Sequence, residues 1–472
     1  MITHSVRFPS FETRVDGRQS RAERRKAWLA AALLDLTLIA LGFATPFSVR
    51  LVGDLPIAEI LMLLLLPFLL AARGRMIFRR DLRVIYVLCA LWLFAQIMSD
   101  WFHGMTSPYQ WMRTYAAIIF FTFDIMMMAA LTSGSTRRKL LFFGAYAVSG
   151  LVRARLFPTP FMEGEIWKFG YADGVITITL LASCYFYARR RNVVVVLFFL
   201  GLIAINLIEN FRSPLLFLFV VLAIVVPVIP ERLGRLQLLP RRGSASRVAA
   251  IVVFSLTAGF VAKQVLVWVT DSGIVDQEAQ EKNKSQLGSG GAMHLFFAAR
   301  PEFPVAMKAI ADRPLLGHGS APDEPKYQAM LNDMQEEMGQ QNMFESALET
   351  LGGMIPVHSY LLQAWVAAGI LGSLVWFYLL ALCVKSIIRA AILLPPTAPY
   401  ITYMFIMFFW NIFFSPFGST VRLVVAGTIL FMVDLPDSAV TISSMARQPH
   451  RFGWQRGRWT RQQGTRPVLM RP

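Results

Sequence analysis

Long apolar runs separated by short polar segments dominate the chain. Twelve of these runs approach the roughly 20 residues that a helix needs to cross the hydrocarbon core of a bilayer. They lie at roughly 28–45, 55–72, 84–100, 114–132, 140–157, 172–188, 192–208, 214–230, 248–268, 359–384, 398–414 and 421–436. The pattern predicts an all-α polytopic membrane protein with about 12 transmembrane helices.

The basic residues show how these helices are oriented. If the N-terminus lies in the cytoplasm, 32 of the 46 Lys and Arg residues fall on the cytoplasmic side and 13 on the other, with Lys263 inside a predicted span. Cytoplasmic segments of membrane proteins carry such an excess of Lys and Arg. Both termini are therefore predicted to be cytoplasmic.

The same pattern divides the chain into five parts. These are a basic cytoplasmic segment at 1–27, helices 1–9 at 28–268, a large exterior loop at 269–357, helices 10–12 at 358–436 and a basic cytoplasmic tail at 437–472. The loop is acidic, with 13 Asp and Glu against 6 Lys and Arg. Helix-like stretches begin at Glu302 and at Tyr327, so we expect a partly helical cap, whereas 276–291 reads as a flexible connector.

Composition excludes several classes of protein. Hydrophobic residues make up 56% of the chain and charged residues 16%, which is far from soluble usage. The net charge of +17 does not indicate a nucleic-acid partner, because the basic residues sit in short clusters between apolar runs. Cys89, Cys184 and Cys383 each fall inside an apolar run, which argues against disulfides and metal clusters.

Candidate chemistry collects where the exterior loop enters the tenth span. His358 stands at this junction, where a neutral imidazole could accept a proton from a sugar hydroxyl; alternatively it is an interfacial residue at a helix start. Arg300 precedes Pro301 and a short helical stretch. Its guanidinium suits phosphate oxygens, although a surface arginine that balances the acidic loop fits equally well.

Two further features could bind an anion. Arg212 lies between two apolar spans on the exterior side, where the positive-inside rule disfavours arginine, so a functional anion site is favoured over simple snorkelling. Gly317 and Gly319 flank His318 in a turn that could present backbone amides to an anion. The spacing of His294, His318 and His358 matches no local pattern of metal ligands.

Other polar residues of the predicted spans have less specific readings. The segment at 99–104 is interpreted as part of an interfacial belt. Asp35, Glu59 and Asp124 are interpreted as packing or interface residues, because the sequence offers them no partner. Basic residues gather on the exterior face, where a lipid-linked phosphate could bind. They are Arg113, Arg153, Arg155, Lys168, Arg212, Arg300 and Arg422.

In the order of its motifs, the chain resembles the superfamily of O-antigen ligases and Wzy-type polysaccharide polymerases, with an exopolysaccharide polymerase-like Wzy_C domain. The resemblance is carried by segments distributed along most of the chain. They are Arg212-Ser213-Pro214, Arg300 followed by Pro314 to Gly319, His358 to Gln363 followed by Gly369 and Gly372, and Phe414 to Gly418 followed by Arg422. The chain departs from the pattern at Ser359, where many relatives have Asn, and nothing in 320–355 can be anchored to it.

The resemblance implies a metal-independent membrane glycosyltransferase of the C-type architecture, without a cofactor, in the bacterial inner membrane. Its donor would be an undecaprenyl-diphosphate-linked glycan at the periplasmic face. By this resemblance Arg212 and Arg300 bind the diphosphate, and His358 lies beside the reacting sugar. Gly317, Gly319 and Arg422 join the binding set, and Arg153, Arg155 and Lys168 could hold a second lipid phosphate.

Three functions compete. A polymerase would transfer the growing glycan to a lipid-linked repeat unit, with membrane lipid and a chain-length regulator as partners, and the basic residues available for a second diphosphate favour it. An O-antigen ligase would deliver the same glycan to lipid A core. A transporter or flippase would only move lipid-linked units, but such proteins place their sites at mid-membrane between internal repeats, and no repeat is visible here.

Overall fold

The computed structural model describes residues 21–225, 264, 272, 300–337 and 355–436, except 52, 105–106, 160–161, 163–164, 321 and 323. The predicted span at 248–268 lies almost wholly outside these residues. So do the predicted connector at 276–291, all of the stretch between 338 and 354, the predicted tail at 437–472 and residues 1–20 of the predicted N-terminal segment.

Helices account for most of the described chain, and one two-stranded antiparallel hairpin joins the first two of them. The hairpin consists of β1 (Ser48–Arg50) and β2 (Asp54–Pro56). The helices before the long gap are α1 (Arg21–Ala44), α2 (Ile57–Ile77), α3 (Arg83–Phe102), α4 (Pro108–Thr132), α5 (Thr136–Leu156), α6 (Ala172–Ala188), α7 (Asn192–Ile208) and α8 (Arg212–Val225). Those after it are α9 (Glu302–Asp312), α10 (Pro325–Glu337), α11 (Tyr360–Leu393), α12 (Ala398–Phe414) and α13 (Ser419–Asp434).

Eleven of the twelve predicted spans coincide with a helix. Six helical segments in the described residues are long and apolar enough to cross a membrane by themselves. They are Arg25–Ala44, Ile57–Ile77, Arg80–Phe102, Pro108–Thr132, Trp167–Ala188 and Tyr360–Leu393. The all-helical membrane character expected from the sequence is therefore confirmed for the described part of the chain.

Short turns join consecutive helices, so neighbouring helices run in opposite directions and the bundle has two ends. We call the end that carries the hairpin and the turns at 103–107, 209–211 and 415–418 the site end. At the opposite end, Asp434 accepts hydrogen bonds from Arg79 at 2.6 Å and from the buried Lys139 at 2.7 Å. Asp35 pairs there with Arg138 at 3.1 Å, which gives it a partner that the sequence does not reveal.

An aromatic cluster connects α3, α4 and α11 with the turn at 415–418 at the site end. Five rings meet with centroids 5.0–6.5 Å apart: Trp92 of α3, Phe121 of α4, Tyr360 and Trp376 of α11, and Phe417 of the turn between α12 and α13. Phe121, Tyr360 and Trp376 have at most 1% of their surface exposed. Because aromatic rings bury large apolar surfaces and prefer such edge and offset contacts, this cluster gives the site end a rigid base.

The long helix α11 is broken at Gly369, whose backbone angles are φ 66° and ψ −168°. The sequence gives no indication of this break inside its tenth apolar run. Segment 314–319 supplies the hydrogen bonds that the helix loses. The backbone amide of Ile370 donates to the Pro314 carbonyl at 3.0 Å, and the backbone amide of His318 donates to the Val366 carbonyl at 2.7 Å. Because a buried backbone group needs such a partner, the segment and the broken helix form one unit.

A helical cap covers the first half of α11. Val305 and Ala309 of α9 and Tyr327 of α10 are buried against Leu362 and Val366 of α11. The helix expected near Glu302 is confirmed, whereas the helix expected from Tyr327 begins two residues earlier and is described only as far as Glu337. The cap thus rests on the half-helix that precedes the break.

Candidate functional site

Arg300 and His358 line the same pocket at the site end, although 58 residues separate them in the chain. The pocket is a partly open depression with about 200 Å³ of space between atoms, open solvent included. Its walls come from the start of α9, the start of α11 and the end of α12. The other lining residues are Glu302, Phe303, Ala306, Ser359, Leu362, Phe413 and Phe414.

The start of α11 holds His358 in place. Ser359 caps the helix by accepting from the Leu362 amide at 3.0 Å and donates from its hydroxyl to the Ile412 carbonyl at 2.7 Å. This double use of one hydroxyl ties the start of α11 to the end of α12. His358 precedes the cap and is exposed, and no hydrogen bond from the described residues occupies its imidazole. Within the described part of the chain, nothing therefore keeps its nitrogens from a ligand.

Arg300 is positioned by the turn that opens α9. Pro301 has helical backbone angles and starts the helix, so the arginine lies directly before its first turn. The guanidinium lies 3.6 Å from the Glu302 carboxylate and 5.9 Å from the centre of the Phe414 ring. Its side chain is one-third exposed. A cation beside an apolar wall and a helix N-terminus can bind an anion strongly, because both the charge and the helix dipole favour it.

Glu302 is a member of this pocket that the sequence does not single out. It lies only two residues after Arg300, and a carboxylate this close to a candidate phosphate-binding arginine is the signal that could have found it. Phe413 and Phe414 come from the end of a predicted membrane span, and only Phe414 belongs to a motif that the sequence singles out. The sequence cannot assign them to the pocket because α12 folds against α11 through contacts distant in the chain.

Arg212 lies at the first position of α8, outside the residues that line the pocket. The turn before it contains Asn210 in a left-handed conformation with φ 50°, and the Asn210 side chain accepts from Arg212 at 3.2 Å. Arg212 also interacts electrostatically with Glu165, the residue that pairs with Lys168 at 2.5 Å. Two of the predicted basic residues are thus brought together around one carboxylate.

An aromatic chain connects the α8 helix to the pocket. Phe217 of α8 meets Trp410 of α12 with ring centroids 5.4 Å apart, and Trp410 lies 4.3 Å from Phe414. Since Phe217 follows Arg212 by about one and a half helical turns, Arg212 lies at the same end of the bundle as the pocket. Arg153 and Arg155 lie in the last turn of α5, half-buried and exposed respectively.

Arg422 is buried in a bidentate ion pair with Glu59. Its Nε and Nη2 donate to the two carboxylate oxygens at 3.0 and 2.7 Å, and the two residues are 5% and 0% exposed. Asp124, also fully buried, interacts electrostatically with both. The sequence predicts that Arg422 contacts the diphosphate. In the structure, its Nε and Nη2 groups already donate to the Glu59 carboxylate.

Gly317 and Gly319 differ from the anion-presenting turn that the sequence suggests. The Gly317 amide donates to the Arg313 carbonyl at 3.1 Å and the Gly319 amide to the Ala367 carbonyl at 3.0 Å. Both glycines have positive φ, 74° and 85°, and a Cβ on Gly317 would come within 2.6–2.8 Å of the α11 backbone. Their role in this arrangement is the close approach of segment 314–319 to the break in α11.

His318, between these glycines, is a buried structural residue. Its Nδ1 lies 2.6 Å from a Glu324 oxygen and its Nε2 lies 2.8 Å from the Ala309 carbonyl. Partial burial alone would raise the pKa of Glu324, but the hydrogen bonds from His318 and Lys326 outweigh it and hold the pKa below its usual range. His318 therefore connects the cap with segment 314–319, which packs against α11.

The assembled pocket suits one kind of chemistry. Arg300 offers fixed positive charge, His358 offers an accessible group able to take a proton, and Phe413 and Phe414 offer an apolar wall. An amphiphilic substrate with an anionic group next to a reacting carbon matches all three. Among the described residues, no group of three or more His, Cys, Asp and Glu side chains is placed to hold a metal ion.

Comparison with known proteins gives this chain no family. No model of a known protein family matches the sequence, and no curated protein matches it.

Proposed function

We propose that the chain is a membrane glycosyltransferase that polymerises a polysaccharide, either an exopolysaccharide or an O-antigen. It transfers a glycan from an undecaprenyl-diphosphate donor to a lipid-linked repeat unit. The observation that carries the proposal is the shared pocket of Arg300 and His358 at one end of an apolar helical bundle. The order of sequence motifs that resembles the O-antigen ligase and Wzy-type superfamily supports it.

The residues of the pocket have distinct roles in this reaction. The acceptor hydroxyl oxygen attacks the anomeric carbon of the donor sugar, and the bond from that carbon to the diphosphate oxygen breaks. His358 takes the hydroxyl proton, and Arg300 stabilises the negative charge that develops on the departing diphosphate. Phe413 and Phe414 offer apolar surface to the start of the polyprenyl chain.

The membrane arrangement is part of the same proposal. About 12 helices cross the bacterial inner membrane, both termini are cytoplasmic, and the site end faces the periplasm with the long loop at 269–357 above it. The distribution of basic residues supports this orientation. The Arg212, Lys168 and Glu165 cluster lies at the same end, where Arg212 and Lys168 can approach the phosphates of a second lipid-linked unit. A chain-length regulator is an expected partner.

Purified protein supplied only with lipid-linked repeat units tests the proposal. The wild-type protein should lengthen the glycan, as seen by gel electrophoresis of the released sugar. His358→Ala should lower the rate about 10²- to 10⁴-fold, the usual contribution of a positioned general base. Arg300→Ala should lower it about 10²- to 10³-fold, because developing charge loses its stabilisation.

Arg50→Ala is the matched control, since this side chain is 94% exposed and lies in the hairpin. It should leave the rate unchanged. No lengthening by the wild-type protein would overturn the polymerase function. Transfer to lipid A core, supplied as acceptor in a second reaction, would identify the ligase, and lipid movement that survives His358→Ala would identify a transporter.

A further inference from the structure

A second cleft lies at the site end and shares no lining residue with the Arg300 pocket. It encloses about 290 Å³ of empty space open to solvent. It is lined by Asp100, His103, Ser107, Trp111, His318, Gly319, Ser320 and Pro322. The proposed transfer reaction does not use it.

Asp100 forms a rigid polar wall of this cleft. It is 4% exposed and accepts from both the amide and the hydroxyl of Ser320, the hydroxyl at 2.8 Å. The Gln96 side chain approaches the same carboxylate at 3.4 Å and donates to the Ser320 hydroxyl at 3.1 Å. A negative group fixed this firmly repels phosphate, so the cleft selects a ligand different from that of the Arg300 pocket.

His103 offers a hydrogen-bond acceptor whose tautomer is set by the backbone. Its Nδ1 lies 2.7 Å from the Ser99 carbonyl oxygen, which can only accept, so Nδ1 carries the proton. In the neutral ring Nε2 is then the acceptor nitrogen. The ring is half-buried and lines the cleft. A ligand that donates hydrogen bonds, such as a hydroxyl, matches this arrangement.

Trp111 adds an apolar platform to these polar groups. It is half-buried, and its ring lies 5.5 Å from that of Tyr115, which restricts its movement. Ser107 also lines the cleft and contributes a hydroxyl, whereas the Ser320 hydroxyl is already bonded to Asp100 and Gln96. A flat apolar face beside a carboxylate, an imidazole acceptor and a hydroxyl fits a sugar ring, which presents apolar C–H faces and hydroxyl edges to the same site.

Both sites border α9. Glu302 and Ala306 line the Arg300 pocket, whereas His318 of the second cleft hydrogen-bonds to Ala309, about one helical turn beyond Ala306. Because the two sites border neighbouring turns of one helix, an oligosaccharide of a few sugars can reach both.

We propose that the cleft of Asp100, His103 and Trp111 binds sugar residues of the glycan substrate, at a distance from the site of transfer. This inference rests on the proposed function for the identity of the glycan. It assigns to these residues a neutral carbohydrate subsite, separate from the anion site at Arg300.

Saturation-transfer NMR on the full-length protein in detergent tests the cleft. The probe is the free repeat-unit oligosaccharide, released by mild acid from the lipid-linked units of the source cells. The wild-type protein should transfer saturation to the sugar protons, and Trp111→Ala should lower the signal at least fivefold. Trp101→Ala is the matched control, because Trp101 is 68% exposed and does not line the cleft; it should leave the signal unchanged.

Ser107→Tyr provides a second variant that fills the cleft without removing a structural contact, since the Ser107 side chain makes no capping hydrogen bond. It should reduce the signal in the same way, and it decides the outcome if Trp111→Ala does not fold. An undiminished signal in the folded variants overturns the assignment.

Kinetics separates this inference from the proposed function. In the lengthening assay, Trp111→Ala should raise KM for the glycan substrate about tenfold and leave kcat nearly unchanged, whereas Arg300→Ala should lower kcat. A wild-type protein that binds the sugar through Trp111 but never lengthens a glycan would refute the polymerase and keep the subsite. A protein that lengthens glycans with the same KM after Trp111→Ala would refute the subsite and keep the polymerase.

Discussion

Removal of Arg422 should destabilise the protein more than removal of any exposed arginine. The guanidinium is 5% exposed and forms two hydrogen bonds with Glu59, which is fully buried. Arg422→Ala leaves the Glu59 carboxylate without its partner and next to the equally buried Asp124. Breaking one side of a buried ion pair costs about 3–5 kcal/mol, and the second carboxylate places the expected loss in the upper half of that range.

The double variant Glu59→Gln with Arg422→Met separates the role of the pair from that of its parts. It removes both charges while keeping side chains of similar length, and replacing a whole buried pair is often neutral. Unfolding of the purified protein in mixed detergent micelles measures both variants. The double variant should recover most of the stability that Arg422→Ala loses.

Arg113→Ala is the control, since Arg113 is exposed at the same end of the bundle and should change stability by less than about 0.5 kcal/mol. An Arg422→Ala protein within about 1 kcal/mol of the wild type would refute the ion-pair reasoning. A stable double variant that has lost glycan transfer would restore the sequence-based expectation that Arg422 contacts the diphosphate.

Two further predictions concern the cap and the broken helix. Gly369→Ala should abolish folding or lower the melting temperature sharply, because a Cβ there would collide with the Leu315 carbonyl and φ is +66°. Gly201→Ala is the control. Gly201 lies inside α7 with open space around it, so the change should be neutral or stabilising by up to about 1 kcal/mol. The pKa of Glu324 is held below its usual value, so its contribution to cap stability is present above about pH 4.5 and is lost as the pH falls through its lower folded-state pKa. Hydrogen exchange of α10 between pH 6 and pH 3 measures this loss, and Glu324→Gln should remove most of the pH dependence; an unchanged dependence would show that the pairing with His318 does not hold the cap.

The positions of the helices could be read from the sequence because each depends on its own residues. A run of about 20 apolar residues must satisfy its backbone groups internally in a membrane, whatever its neighbours are. Eleven predicted spans therefore coincide with helices, and α9 begins where Pro301 and Glu302 indicate. The candidate residues Arg300 and His358 could also be named, because each stands at the start of a predicted helix.

What the sequence could not decide depends on which distant segments meet. Glu59 and Arg422 are 363 positions apart, so neither residue predicts its partner. Nor does the turn at 317–319 reveal that the amides of His318 and Gly319 donate to a helix that is broken about 50 residues later, at Gly369. Local hydrophobicity determines where this chain is helical. Which charges are paired, which amides are used and which histidine stays accessible beside an arginine depend on how distant helices pack, namely α2, α9, α11, α12 and α13.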